Sequence, residues 1–387
     1  MEQDRFTFNT PTRIEYGANI VESVGEEAKK FAAKKVLIVT DKGIVKAGLL
    51  AKVKESLERS RLEMLVFDQV EQNPKDRTVE KGAELAREEK VDLIIGVGGG
   101  STMDTAKGIG LLVTNGGSLR DYWGVDMVKK PSLPLITVPT TAGTGSEVTI
   151  CAVIDDTSRE YTTKECVESR LISPRLALVD PLLTRSLPPE LTAGTGMDAL
   201  THAIEAYTAI PASALTDALS LYSIELIANN LGKAFANGDD LEARNNMMLG
   251  SLMAGIAFSN SDTAGVHCMA EAVGGFYDVP HGIACAVFLP YIMGYNLIAN
   301  PKKYADIAKA MGEDITILSV REAALKSVEA VKKLMKEVGI IPSARWLGVK
   351  EKDIAQLAKI AMTNISLESN PRKLRESDFV EIFKRAM

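Results

Sequence analysis

The chain predicts an α/β N-terminal domain with a parallel sheet over residues 1–185, followed by an all-α C-terminal domain over residues 186–387. Three observations carry this. Its 387 residues are two to three times a usual domain length. Short β-branched runs alternate with amphipathic helical stretches through the first half. After the segment Leu187 to Leu191, LPPEL, strand-like runs nearly vanish, and Ala/Leu/Ile/Met-rich stretches at helical spacing continue to the C-terminus.

The elements follow in order. Val36 to Thr40 (VLIVT) is a buried strand, and a helical pattern runs on to about Leu57. Met64 to Phe67 is a strand, Thr78 to Lys90 a helix, Val91 to Val97 (VDLIIGV) a strand, and Ser101 to about Leu112 a helix. Leu135 to Val138 is a strand, with further strands expected at Val148 to Ile154 and Leu176 to Val179. This order predicts a parallel sheet with helices on both faces. Pro188 and Pro189 break the chain and restart it as a helix, since proline suits the first helical turn.

With 46% hydrophobic and 25% charged residues, the composition is that of an ordinary globular protein and excludes disorder and collagen. Lys and Arg number 45 against 51 Asp and Glu, a net charge of −6, so the concentrated positive field that nucleic acid needs is missing. No basic segment is followed by an apolar one at the start, and nowhere do apolar residues run long enough to span a bilayer. The four cysteines form no CxxC pair, so reduced thiols and a cytoplasmic location are expected, with no membrane partner.

Gly96 to Lys107, GVGGGSTMDTAK, follows a strand and opens a helix, which suits a phosphate cradle at a helix N-terminus. It is neither a GxGxxG fingerprint nor a Walker loop, and a tight βα turn would read the same way. Thr137 to Thr149, TVPTTAGTGSEVT, also follows a strand; Thr140, Thr141, Thr144 and Ser146 could donate to phosphate, ribose or carboxamide oxygens, or form a solvated turn. Two such loops in one sheet support each other, because a dinucleotide is long enough to need both. Asp41 follows the first strand, where a carboxylate could accept from ribose hydroxyls and repel a 2′-phosphate, favouring NAD over NADP; a helix N-cap is the alternative.

Histidine is the most informative count. The only three are His202, His267 and His281. Asp198 and His202 are spaced i,i+4, which on a helix places carboxylate and imidazole on one face. His267 lies in a second helical stretch, and His281 follows a proline in the loop-like YDVPHGIACA. One carboxylate and three imidazoles make a mixed N/O divalent-metal site suited to Fe(II) or Zn(II).

Taken together, GGGSTMDTAK, VPTTAGTGSEVT, GMDALTHAIEAY and PHGIACA resemble the iron-containing (group III) alcohol dehydrogenase family over nearly the whole chain. The resemblance implies a dinucleotide-binding N-terminal domain, an all-helical C-terminal domain, and a metal and active site in the cleft between them, with Asp198, His202, His267 and His281 as ligands. It carries NAD(H) contacts onto Asp41, Asn73, Gly98, Gly99, Gly100, Ser101, Thr140, Thr141, Thr144 and Ser146, and most loosely onto Lys164. The implied activity is hydride transfer between NAD(H) and a small primary alcohol, diol or aldehyde, by a homo-oligomer, commonly dimeric. A polyol dehydrogenase and a dehydroquinate-synthase-like lyase share the fold, but an anionic substrate would call for more basic residues near the metal segments.

The chain departs from the family where HCMAEAVGG replaces HAMAHPLGG, putting Glu271 in place of a pocket histidine, and where Asp262 and Thr263 replace small or apolar residues. Glu271 lies four residues after His267 on the same helical face, open to three roles: metal ligand, proton relay, or acceptor for a substrate's second hydroxyl.

Overall fold

A computed structural model describes residues 5–158 and 162–387. Two compact units are distinguished: one comprises Thr10–Thr141 with Ser146–Leu187, the other Pro188–Met387 with Ala142–Gly145 and the N-terminal segment ending at Asn9.

The first unit is built on six strands, β1 (Arg13–Tyr16), β2 (Lys35–Val39), β3 (Glu63–Phe67), β4 (Leu93–Gly98), β6 (Leu135–Pro139) and β9 (Leu176–Val179). They pair in the order β1-β9-β6-β4-β2-β3, every pair parallel. A smaller sheet holds β5 (Gly124–Val125), β8 (Thr163–Glu168) and β7 (Cys151–Asp156), with β7 and β8 antiparallel. Strand alternation divides the core. Val36, Ile38, Leu93 and Ile95 pack on one face with helices α1 (Val24–Lys30) and α3 (Ala51–Arg59). Leu37, Val39 and Ile94 pack on the other with α4 (Asp76–Glu88) and α5 (Gly100–Asn115). Burial on both faces is why the central strands read as unbroken apolar runs.

The structure corrects several expected elements. The helical stretch after the first strand is two helices, α2 (Lys42–Lys46) and α3, divided at Gly48, whose φ is 74°. The strand expected at Val148 to Ile154 begins at Cys151, because Ser146–Val148 is a short 3-10 turn. Neither β1 nor β8 was expected: both are short, carry charged residues and are at most half-buried at most positions, so no apolar run marks them.

The second unit is helical from Pro189 onward: α6 (Pro189–Thr208), α7 (Ala214–Ala236), α8 (Leu241–Phe258), α9 (Gly265–Tyr277), α10 (His281–Asn296), α11 (Pro301–Ala310), α12 (Val320–Glu337), α13 (Ile354–Ala361) and α14 (Glu376–Ala386). Pro189 is the first residue of α6, as the LPPEL restart requires. From Thr192 onward nearly all of α6 is buried, as befits a helix enclosed by α7, α8 and α10. No helix among the described residues is long and apolar enough to cross a membrane.

Candidate metal centre and dinucleotide site

In the helical unit, α6 carries Asp198, His202 and Glu205 at i, i+4 and i+7, on one face. His267 sits in the first turn of α9. His281 is the first residue of α10 rather than part of a loop: Pro280 takes an extended N-cap conformation, and its missing N–H is no loss at a helix start. Gly282 makes the approach possible. A Cβ there would stand 2.3 Å from the Gly194 carbonyl oxygen and 3.1 Å from Asp198 Cβ, so only glycine lets the start of α10 lie against α6.

The side chains converge. His202 Nε2 and His267 Nε2 are 3.0 Å apart. His281 Nε2 is 3.6 Å from Asp198 Oδ1, and His202 Nδ1 is 3.9 Å from Asp198 Oδ2. Ligand atoms of Asp198, His267, His281 and Cys285 all lie within 4.8 Å of one another. Phe258 stacks on His202 at 4.4 Å. Asp198, His202 and His267 are buried, with side chains 2–6% exposed, whereas His281 is 27% exposed and marks the side open to solvent.

Two residues not singled out from sequence shape this centre. Glu205 is buried; its Oε1 accepts from Val266 N–H at 2.6 Å, and its Oε2 accepts from Ala264 N–H at 3.0 Å and from His267 Nδ1 at 2.5 Å. It therefore satisfies donors at the N-terminus of α9 and, by accepting at Nδ1 of His267, orients that ring with Nε2 facing His202. Cys285, one turn after His281 on α10, is fully buried beside the same imidazoles.

Burial pushes the Asp198 carboxyl up to about 6. The His202 imidazole is driven well below its ordinary value, first by burial and then by His267 and His281. His267 moves the other way: burial opposes its charge, but Cys285 and Glu205 raise it well above the ordinary histidine range. The Cys285 thiol is pushed up to about 12 by burial. Asp198 Oδ1 is buried and makes no hydrogen bond of normal geometry among the described residues. A divalent cation fits this donor set: it would satisfy that oxygen, favour the charged carboxylate and use the imidazole lone pairs.

The departures at Asp262, Thr263 and Glu271 share one partner segment. Asp262 takes φ 82° and accepts from Ser366 Oγ at 2.7 Å and Ser369 Oγ at 2.6 Å, while Thr263 Oγ1 donates to Ser366 Oγ at 3.0 Å. Glu271 is half-buried and accepts from Asn364 Nδ2 at 2.5 Å. Its charge also raises Asp198, after burial, so it lies within electrostatic reach of the centre.

In the sheet unit, the chain runs from β2 outward to β3 and then returns to β4 on the other side of β2. That reversal opens a crevice at the carboxyl ends of β2 and β4, where ligands of open parallel sheets bind. Thr40 and Asp41 follow β2, and Gly98 to Ser101 end β4 and begin α5. Gly98 has φ 159°, and a Cβ there would meet Thr102 Oγ1 at 2.4 Å. Thr140, after β6, has a buried hydroxyl with no hydrogen-bond partner among the described residues, and the Thr141 side chain lies against Gly99.

Not every expected cofactor residue has free groups. Asp41 caps α2, its Oδ1 accepting from Gly43 and Ile44 N–H at 2.7 and 3.0 Å, which leaves Oδ2 outside those bonds. Ser146 donates to Asp104 Oδ1 at 2.6 Å and accepts from Lys107 Nζ at 2.9 Å. Its hydroxyl is committed to a network around the fully buried Lys107, a residue the sequence did not single out. Lys164 donates to Asn73 Oδ1 at 3.0 Å and pairs with Asp155 at 3.1 Å, so two separately expected residues form one group. Thr144 belongs to the helical unit.

Known proteins carry the same architecture. Residues 11–181 match the model of iron-containing alcohol dehydrogenases, and residues 192–387 that of the Fe-containing alcohol dehydrogenase family, C-terminal. A 1,3-propanediol dehydrogenase of Klebsiella pneumoniae is 45% identical over all of both chains. An NAD-dependent methanol dehydrogenase of Bacillus methanolicus is 41% identical over 98% of this chain and 99% of its own. A solved 1,3-propanediol oxidoreductase superposes with a TM-score of 0.96 at 44% identity, over 99% of this chain and 100% of its own. With both halves matched and the identity extending end to end, the chain belongs to the iron-containing alcohol dehydrogenase family.

Proposed function

We propose that Asp198, His202, His267 and His281 hold a divalent metal, Fe(II) in the first place and Zn(II) as a fitting alternative, in an enzyme that interconverts small primary alcohols or diols and their aldehydes with NAD(H). The family gives the reaction class, an oxidoreductase acting on CH–OH, and implies NAD and a divalent metal. The observation that carries the assignment is a buried carboxylate, Asp198, amid the chain's only three imidazoles. Relatives named for 1,3-propanediol and for methanol support a small alcohol as the substrate in this reading.

When bound, a divalent ion at Asp198, His202, His267 and His281 would supply Lewis acidity toward an alcohol or carbonyl oxygen, and NAD(H) would supply the hydride chemistry. The protein's part is positioning. Glu205 and Phe258 fix the rings of His267 and His202, and Gly282 fixes the start of α10. Gly98 to Ser101 offer backbone N–H groups at the start of α5 to a diphosphate, with Thr140 and Thr141 beside them. Asp41, Asn73, Thr144, Ser146 and Lys164 complete the cofactor reading, the last two through the network each anchors. Glu271, tied to Asn364, serves as a proton relay at the solvent side. The same reading takes the enzyme as a cytoplasmic homo-oligomer.

The test is NADH absorbance with a panel of alcohols, diols and aldehydes, using protein prepared without air, for wild type and Glu271→Gln. Turnover of small primary alcohols or diols is expected, with a lower kcat and an altered pH profile in the variant. No turnover of any alcohol or aldehyde by metal-loaded protein would overturn the assignment; unchanged kcat and pH profile in Glu271→Gln would remove the relay.

A further inference from the structure

The donor set inferred for the metal is oxygen and nitrogen, yet α10 brings a sulfur into the same space. His281 and Cys285 are spaced i,i+4 on one helix, so both side chains leave the same face. Cys285 Sγ lies 3.6 Å from His281 Nε2 and 3.9 Å from His267 Nε2, and it belongs with Asp198 to the group whose ligand atoms all fall within 4.8 Å. Metal bonds of about 2.0–2.1 Å to nitrogen and about 2.3 Å to sulfur span separations of this size, so one ion can touch both without backbone movement. The second observation is Asp198 Oδ1, on the opposite element, buried and without a hydrogen bond of normal geometry among the described residues.

We propose that Cys285 Sγ is a further donor to the divalent metal of this centre, which is then a mixed nitrogen, oxygen and sulfur site. The proposal rests on the metal-centre reading above. On coordination the sulfur lone pair enters the metal's shell and the thiol proton leaves to solvent. A thiolate favours softer ions, so the residue biases the centre toward Zn(II) or Co(II) relative to an all-N/O site.

Cobalt(II) reports sulfur ligation directly. Metal-free full-length protein is titrated with Co(II) without air, for wild type, Cys285→Ser and Cys285→Ala. The wild type is expected to show visible ligand-field bands together with an intense near-ultraviolet sulfur-to-cobalt charge-transfer band. Cys285→Ser should keep the visible bands and lose the charge-transfer band; should the variants not fold, the wild-type spectrum alone decides. Visible bands without charge transfer in wild type overturn the proposal while leaving the metal centre intact, as does a charge-transfer band that survives in Cys285→Ser. Absence of any cobalt uptake overturns the metal-centre reading, and this proposal with it.

Discussion

Replacing Glu205 by glutamine separates its two roles, because the amide has one acceptor where the carboxylate has two. If the NH2 group takes the place of Oε2, it opposes Ala264 N–H and presents a donor to His267 Nδ1. The imidazole proton then moves to Nε2, the atom 3.0 Å from His202 Nε2, and a ligand lone pair is lost. If the NH2 group takes the place of Oε1, it opposes Val266 N–H instead. Either way a buried backbone donor is left unsatisfied, at about 1–3 kcal/mol. Loss of the group that orients a metal-binding histidine typically weakens metal affinity about 10–100-fold. Thermal denaturation of metal-free protein reads the first effect, and titration against a competing chelator reads the second. Glu205→Ala removes the acceptor from His267 Nδ1 whichever way a glutamine amide would lie, so unchanged metal affinity in both Glu205→Gln and Glu205→Ala would refute the orienting role and leave Glu205 as a cap for α9 only.

Two further outcomes follow from the sheet unit. Asp41→Asn keeps an N-cap for α2 but removes the charge, so the ratio of kcat/KM with NADH to that with NADPH should fall; an unchanged ratio removes Asp41 from coenzyme choice. Glu147 is buried, its Oε1 has no hydrogen-bond partner among the described residues, and burial lifts its carboxyl from 4.5 to about 7 against the pull of Lys107. A raised acid is more protonated folded than unfolded, so its contribution is full below 4.5 and is lost as pH rises through about 7, a span worth roughly 3 kcal/mol. Melting temperatures measured across that window should show a shallower decline in Glu147→Gln than in wild type; parallel curves would exclude Glu147 as the titrating group.

The sheet was legible because a strand buried on both faces carries few polar residues: VLIVT and VDLIIGV admit few other structures. Leu176–Val179 appears as expected for the same reason. Edge and small-sheet strands such as RIEY and TKECVE have polar residues at solvent-facing positions, and periodicity cannot tell them from loop. At the centre, Asp198 and His202 were legible because their relation is local to one helix. Glu205 was not, although it stands three residues after His202, since its partners Ala264 to His267 come from a helix 59–62 residues away. Cys285 did leave a signal, the i,i+4 spacing from His281, which was obscured by reading PHGIACA as loop. Ser146 shows the opposite error. A hydroxyl in a Thr/Ser-rich turn reads as a free donor, whereas the fold spends it on Lys107 and Asp104.

The claim on which the rest depends is that one carboxylate and three imidazoles hold a metal the enzyme needs. Metal content and NADH-coupled turnover should be measured side by side on wild type and on His202→Ala, His267→Ala and His281→Ala, all prepared without air and then supplied with Fe(II) or Zn(II). The account predicts that each substitution lowers bound metal and turnover together, because the loss is of coordination. Full turnover by chelated, metal-free wild type, or a His267→Ala protein that keeps both metal and activity, would contradict it.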